Sequence, residues 1–283
     1  MTIRLSKLHG TGNDFLVLVA LDGAPAADAL VARALCDRHR GIGADGLITL
    51  LPGTHGADCI MELRNADGGI AEMSGNGIRC LAWVAVREGL GTDGSLTEQT
   101  GGGRRTLTMD ITRGQVSFAT VDMGAVTFDP PQIPLDALSS VDLEATFHGT
   151  TYRGDAAGMG NPHFVVLVDD VETARVTQHG PHLERDERFP RRVNVEFIAP
   201  SARGGIDMRV WERGVGETLS CGTGACAAAA VARRRGLVGD STVVHVRGGD
   251  LSVTHADTVL LGGPVVHVFD TEIDDRALME DRG

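Results

Sequence analysis

Two short stretches carry residue types and spacing suited to proton transfer, AEMSGNGIRC at 71–80 and TLSCGTGACA at 218–227. Each sets one side chain, Ser74 or Cys221, before a pair of glycines, Gly75 with Gly77 or Gly222 with Gly224, that opens a helix-forming run. A helix start presents unpaired N–H groups and partial positive charge, so it attracts carboxylates and is expected to lower the pKa of a cysteine placed there. Glycines at the opening let the backbone approach a ligand closely. Two such openings acting on one small anion would hold it between two reactive side chains. Taken singly, Ser74 is an ordinary N-cap and Cys221 a small buried thiol; repetition in register is what favours chemistry. The match of Gly222, Gly224 and Ala227 to a dinucleotide-binding fingerprint is weak, because that fold needs alternating strands and helices in a parallel sheet.

Short β-type runs surround these openings: IRLSKL at 3–8, FLVLVA at 15–20, TLTMDIT at 106–112, HFVVLV at 163–168, VNVEFI at 193–198 and several after 241. Helical patterns are fewer, at ADALVARALCDRH after Pro25, at 75–88 and at 222–235. The mix predicts an α+β protein with mostly antiparallel strands. An offset of 147 pairs Ser74 with Cys221, Gly75 with Gly222, Gly77 with Gly224, Gly89 with Gly236 and Asn65 with Glu212. An offset of 148 pairs GND at 12–14 with GNP at 160–162 and Gly46 with Asn194. Such a repeat predicts two halves on one plan, 1–120 plus 268–283 and 121–267, each with a strand framework around one apolar helix. The last strand, VVHVFD, would return to the first half.

Lys+Arg of 26 against Asp+Glu of 38 gives a formal charge of −12, which repels phosphate backbones and anionic lipid and makes nucleic-acid and membrane partners unexpected. No apolar run has the length of a signal peptide core or a membrane span, so the expected location is the cytoplasm. Five cysteines do not form a secreted disulfide framework and are expected as free thiols. Lys7 is the sole lysine, leaving one candidate for a pyridoxal phosphate Schiff base. His55 with Cys59, and His179 with His182, have loose metal-ligand spacing but no matching second pair, so no metal is expected.

HGTGNDF (9–15), GIGADG (41–46), RNADGGIAEMSGNGIRC (64–80), GNPH (160–163), RRVNVEF (191–197), RVWERGVGETLSCGTGACAAA (209–229) and GGP (262–264) together closely resemble the diaminopimelate epimerase family, in order and over nearly the whole chain. The resemblance implies two pseudo-symmetric β-barrel-like halves, each around a central helix, with the active site in the cleft between them. It implies interconversion of LL- and meso-diaminopimelate by two cysteines, one removing the α-proton and the other supplying it, without pyridoxal phosphate or metal. Cys221 matches the base; Ser74 stands at the acid. By the same resemblance the backbone of Gly75, Asn76, Gly222 and Thr223 holds the reacting centre. Asn13, Asn65, Asn161, Asn194, Glu212 and Arg213 contact substrate, Arg213 as the natural partner of the distal carboxylate. His163 and Glu212 adjust the thiol protonation states. Gly46 stands where some members place an amide side chain, and Phe269 where the family often has a tyrosine at a homodimer contact.

A serine hydroxyl ionises far above a thiol and is a poor acid and base without an adjacent base. The expectation is a chain that folds as the epimerase and binds diaminopimelate but inverts it slowly, an impaired or trapped variant, engineered or natural. Two other readings stay open at this level: a related racemase or dehydratase using a Ser/Cys pair on another amino acid, and a non-catalytic amino-acid-binding protein.

Overall fold

Strand β1 (Thr2–Gly10) turns at Thr11 and Gly12, both at positive φ (48° and 82°), into antiparallel β2 (Asn13–Val19). The computed structural model describes residues 2–274. Helix α1 (Ala29–Cys36) is capped by Asp28, whose carboxylate accepts from the Leu30 and Val31 N–H groups, and buries Ala32, Leu35 and Cys36. It carries the chain to β3 (Gly46–Pro52), parallel to β2; β4 (Cys59–Asn65) returns antiparallel, and the short β5 (Ile70–Ala71) folds onto its end. Helix α2 (Gly75–Arg87) then crosses to β6 (Ser95–Thr100), parallel to β4, and β7 (Gly103–Thr112) and β8 (Gln115–Asp122) follow as a meander.

The same plan runs again. Strand β9 (Leu143–Phe147) pairs with β10 (Thr150–Gly158), which turns into β11 (Pro162–Leu167). Helix α3 (Val176–Leu183) leads to β12 (Asn194–Pro200), parallel to β11, then to antiparallel β13 (Ile206–Glu212) and β14 (Gly216–Thr218). Helix α4 (Gly222–Arg234) crosses to β15 (Ser241–Val246), parallel to β13, followed by β16 (Gly249–His255) and β17 (Val259–Pro264). Strand β18 (Val266–Asp274) pairs antiparallel with β1, as β9 pairs with β10.

Each copy is a β-barrel-like sheet around a buried helix, so the architecture is the α+β, two-half fold. Helix α2 packs on β1, β2, β3 and β4, and α4 on β10, β11, β12, β13, β15 and β16. Both helices have 13 residues and begin 147 positions apart. Helix α2 buries Ile78, Leu81, Val84 and Val86, each such side chain contributing roughly 1.5–3 kcal/mol. Helix α4 fills the equivalent space with alanines, the best helix formers and the smallest spacers between helix and sheet.

One compact unit runs to Val121 and resumes at Gly263; the other is Asp122–Gly262. The return thus falls at Gly262–Gly263 rather than at 267–268, because Val265 N–H already donates to the Ser117 carbonyl (3.3 Å) and β18 follows along β1. Positions 275–283 of the expected first half lie outside the described residues. The sequence pattern did not predict α3, since VTQHGPHL holds Gly180 and Pro181 inside a helix of 8 residues. A Cβ on Gly180 would lie 2.6 Å from Trp211 Cγ, so only glycine lets α3 reach β13. Among the described residues no helix is long and apolar enough to cross a membrane.

Candidate active site

Cys221 is the N-cap of α4. Its backbone is extended (φ −124°, ψ 116°), its Sγ accepts from the Gly224 N–H at 3.4 Å, and Thr223 Oγ1 lies 3.6 Å from the sulfur. Beneath it runs a chain of side chains. His163 Nδ1 meets Glu196 Oε1 at 2.7 Å, His163 Nε2 meets Asn161 Oδ1 at 2.8 Å, and Asn161 Nδ2 donates to Thr223 Oγ1 at 3.3 Å. Oxygens of Glu196 and Asn161 thus face the two ring nitrogens and fix the plane of the imidazole. His163 and Glu196 are both fully buried. Glu196 approaches the first turn of α4 so closely that a Cβ on Gly224 would lie 2.7 Å from its Oε1.

Glu212, at the end of β13, is the second carboxylate against the thiol. Its Oε1 accepts from Thr218 Oγ1 and its carboxylate hydrogen-bonds Cys221. Burial pushes the Glu212 carboxyl above its ordinary range, against the hydrogen bonds from Thr218 and Cys221. The expectation that a helix start lowers the Cys221 pKa is corrected here. Burial first, then the Glu212 and Glu196 carboxylates, push the thiol well above its ordinary value, and the Thr223 and Gly224 hydrogen bonds do not offset them. The resting group is the thiol.

Ser74 caps α2 with the same backbone (φ −137°, ψ 122°), and its Oγ accepts from the Gly77 N–H at 3.1 Å. The surroundings differ. At the 148 offset Phe15 replaces His163 and Ile48 replaces Glu196, and a Cβ on Gly77 would meet Ile48 Cδ1 and Met61 Cε rather than a carboxylate. The charge in this unit sits instead on Arg79, fully buried one turn into α2, which donates to Gly75 O (2.7 Å), Asn76 Oδ1 (2.7 Å) and Pro264 O (3.3 Å).

Asn13, Ser74, Gly75 and Asn76 come together at this opening. Asn76 Nδ2 donates to Asn13 Oδ1 (3.4 Å), and Asn13 Nδ2 donates to Asp45 Oδ2 (2.6 Å). Asp45 is tied through Arg38 to Asp14, whose carboxyl is held far below the usual range, against burial, by Arg38 and Lys7. Lys7, the sole lysine, is bound to Asp14 and the Gly43 carbonyl. Asn65 ends β4 in register with Gly46, its side chain exposed; a Cβ at Gly46 would lie 2.8 Å from the Arg64 carbonyl, so no side chain is accommodated there.

In the other unit Cys221, Gly222, Thr223, Asn161, His163 and Glu212 assemble around the thiol. Asn194 braces the edge, accepting from Arg213 N–H (2.9 Å) and donating to Pro162 O (3.1 Å). The exposed Arg213 side chain donates to Arg191 O (3.2 Å). Phe269, on β18 opposite Lys7, is 40 % exposed. Among the described residues no cluster of His, Cys, Asp and Glu has metal-site geometry, and the five cysteines are free. Glu196 and Arg79 were not singled out from the sequence. The signal for Glu196 was present in the repeat, where the 148 offset exchanges Phe15 and Ile48 for a histidine and a glutamate.

The family profile described as diaminopimelate epimerase matches residues 5–128 and 156–268. The diaminopimelate epimerase of Burkholderia ambifaria is 42% identical over 292 residues, covering 97% of this chain and 99% of that one. That of Moorella thermoacetica is 42% identical over 269 residues, covering 93% and 96%. Among solved structures, a hydroxyproline epimerase from Agrobacterium vitis with bound trans-4-hydroxy-L-proline superposes with a TM-score of 0.70 at 18% identity, covering 98% of this chain and 94% of that one. A Bacillus anthracis phenazine biosynthesis protein also gives 0.70, at 16% identity and 96% and 99% coverage. These two share the fold. On the profile match and the full-length relatives, the chain belongs to the diaminopimelate epimerase family.

Proposed function

We propose that the chain is a cofactor-independent epimerase acting on LL- and meso-diaminopimelate, with Cys221 as its one competent proton-transfer thiol. The observation that carries the reading is the pair of N-caps. Ser74 and Cys221 hold the same backbone conformation and the same cap hydrogen bond, each at the start of the central helix of its unit.

The α-proton of an amino acid is very weakly acidic, so its removal needs donors for the developing carboxylate charge and a base in a dry site. The N–H groups of Gly222 and Thr223, and of Gly75 and Asn76, supply donors at the two helix starts. Glu212, its pKa raised by burial and its carboxylate hydrogen-bonded to the thiol, takes the thiol proton, and the thiolate then removes the α-proton. Glu196 fixes His163, and through Asn161 and Thr223 fixes the hydroxyl beside the sulfur. Arg213 meets the distal carboxylate. At the other opening Ser74 has apolar neighbours where Cys221 has carboxylates, so inversion is slow and exchange at Cys221 persists.

The chain works as a homodimer through β18, where Val266, Val268 and Phe269 are 43 %, 52 % and 40 % exposed. It works in the cytoplasm, which its free thiols suit. The test follows each stereoisomer separately in heavy water. One isomer should exchange its α-proton faster than it inverts. Fast inversion would remove the need for a second thiol, and failure to bind either isomer would remove the substrate.

A further inference from the structure

Away from the helix openings, the unit Asp122–Gly262 carries a cavity of about 620 Å³ lined by Phe147, His148, Arg175, Gln178, His179 and His182. Two elements build it. The turn between β9 and β10 places His148 and Gly149 at positive φ (47° and 78°), the type I′ geometry that suits a two-residue hairpin and brings His148 to the rim. Helix α3 supplies His179 and His182, three positions apart and so on one face, with Arg175 just before its first residue. The Phe147 ring is stacked on His148 (centroids 4.2 Å) and on His182 (3.7 Å), which holds both imidazoles by the cavity.

The charge of this lining is one-sided. The chain has a formal charge of −12, yet every ionisable residue of the lining is basic, and among the described residues none of the four is engaged by a carboxylate. His179 is 3 % exposed, and its Nδ1 is taken by the Tyr152 hydroxyl at 2.8 Å. Its Nε2 has no protein partner among the described residues and is not sealed in the core, so it opens to the cavity. Burial, then Arg175, His148 and His182, hold the His179 ring below its ordinary pKa. A buried imidazole nitrogen without a protein partner, beside the Arg175 guanidinium that no carboxylate engages, suits a ligand carrying negative charge. Among the described residues the three histidines do not assemble into metal-site geometry.

We propose that this cavity is a binding site for a small oxyanion of the phosphate or carboxylate class, taken by Arg175 and by ring nitrogens of His148, His179 and His182, with the Gln178 amide as a further donor. The site is separate from the substrate chemistry and stands whether or not that reading does. The opposite face of α3 touches Trp211 through Gly180, one residue before Glu212, so an occupied cavity rests on the element that backs the end of β13.

The test titrates the full chain with inorganic phosphate, and in a second arm with succinate, at constant ionic strength set by chloride, following the histidine ring signals by NMR. Expected is saturable movement of the His148, His179 and His182 signals together in at least one arm. Arg175→Met with His182→Asn, both at exposed positions, should weaken that binding at least tenfold, and Arg175→Lys with His182 retained should recover part of it. Saturation with phosphate alone or succinate alone assigns the class. No saturation by about 20 mM of either anion, or saturation unchanged in the double variant, overturns the proposal.

Discussion

Ser74 Oγ and Cys221 Sγ occupy equivalent places in two copies of one helix opening, so the difference between them reduces to acidity, size and surroundings. Ser74→Cys should leave the cap in place and raise the inversion rate by about 10²–10⁴-fold, the usual contribution of a positioned acid or base; racemisation followed by chiral chromatography measures it. Glu196→Gln removes a charge that opposes the thiolate, so Cys221 should ionise at lower pH and be alkylated faster near neutrality. The same change loosens His163 and slows α-proton exchange. Peptide mass spectrometry of iodoacetamide labelling against pH separates Cys221 from Cys36 and Cys80, whose thiols burial pushes up to about 12. An unchanged labelling profile would mean that Glu196 does not act on the sulfur. Ser74 and Cys221 were legible from their spacing to a glycine turn, whereas Asn13, Asn65, Asn76, Asn161, His163, Asn194, Glu212 and Arg213 were named through the family resemblance. Glu196 and Arg79 sat in runs that read as apolar strand and apolar helix, because partners 33 and 185 positions away are set by tertiary pairing.

At the level of elements, hydrophobic pattern and glycine openings predicted α1, α2 and α4 and most of the strands, and the fixed offset predicted that they recur. What local pattern could not supply was α3, whose helical state is imposed by contact with Trp211 and by the Trp211 Nε1–H donating to Glu184 Oε2 at 2.8 Å. Gly180→Ala tests this balance. Alanine is favoured in a helix by about 1 kcal/mol, whereas forcing a methyl into a closed contact costs about 1–3 kcal/mol. The contact should win, giving a net loss of stability in urea unfolding. A stabilised variant would mean that α3 can move off Trp211 without penalty.

At the scale of the whole molecule, Glu98 on β6 is fully buried, and among the described residues neither of its carboxylate oxygens has a hydrogen-bond partner. Burial raises its pKa well above the ordinary value, so the native chain keeps a proton that the unfolded chain releases. The stability tied to that proton is fully present below the unfolded-state pKa and is lost as pH rises toward the folded one. Through that window the slope is about 1.4 kcal/mol per pH unit. Glu98→Gln should flatten the fall of thermal stability between mildly acidic and neutral pH and raise the melting temperature at neutral pH. A steeper fall in the variant would assign Glu98 a partner in solution.

The pairing of β18 with β1 also has a consequence for synthesis. In the second unit β9 precedes the strand it pairs with, so its neighbours emerge from the ribosome in order. In the first unit the equivalent strand is made last, and β1 waits through more than 250 residues of translation with one edge open. The unit made first is therefore the unit finished last, and a nascent chain that has emerged only as far as Pro264 has every strand of the second unit but lacks β18 of the first.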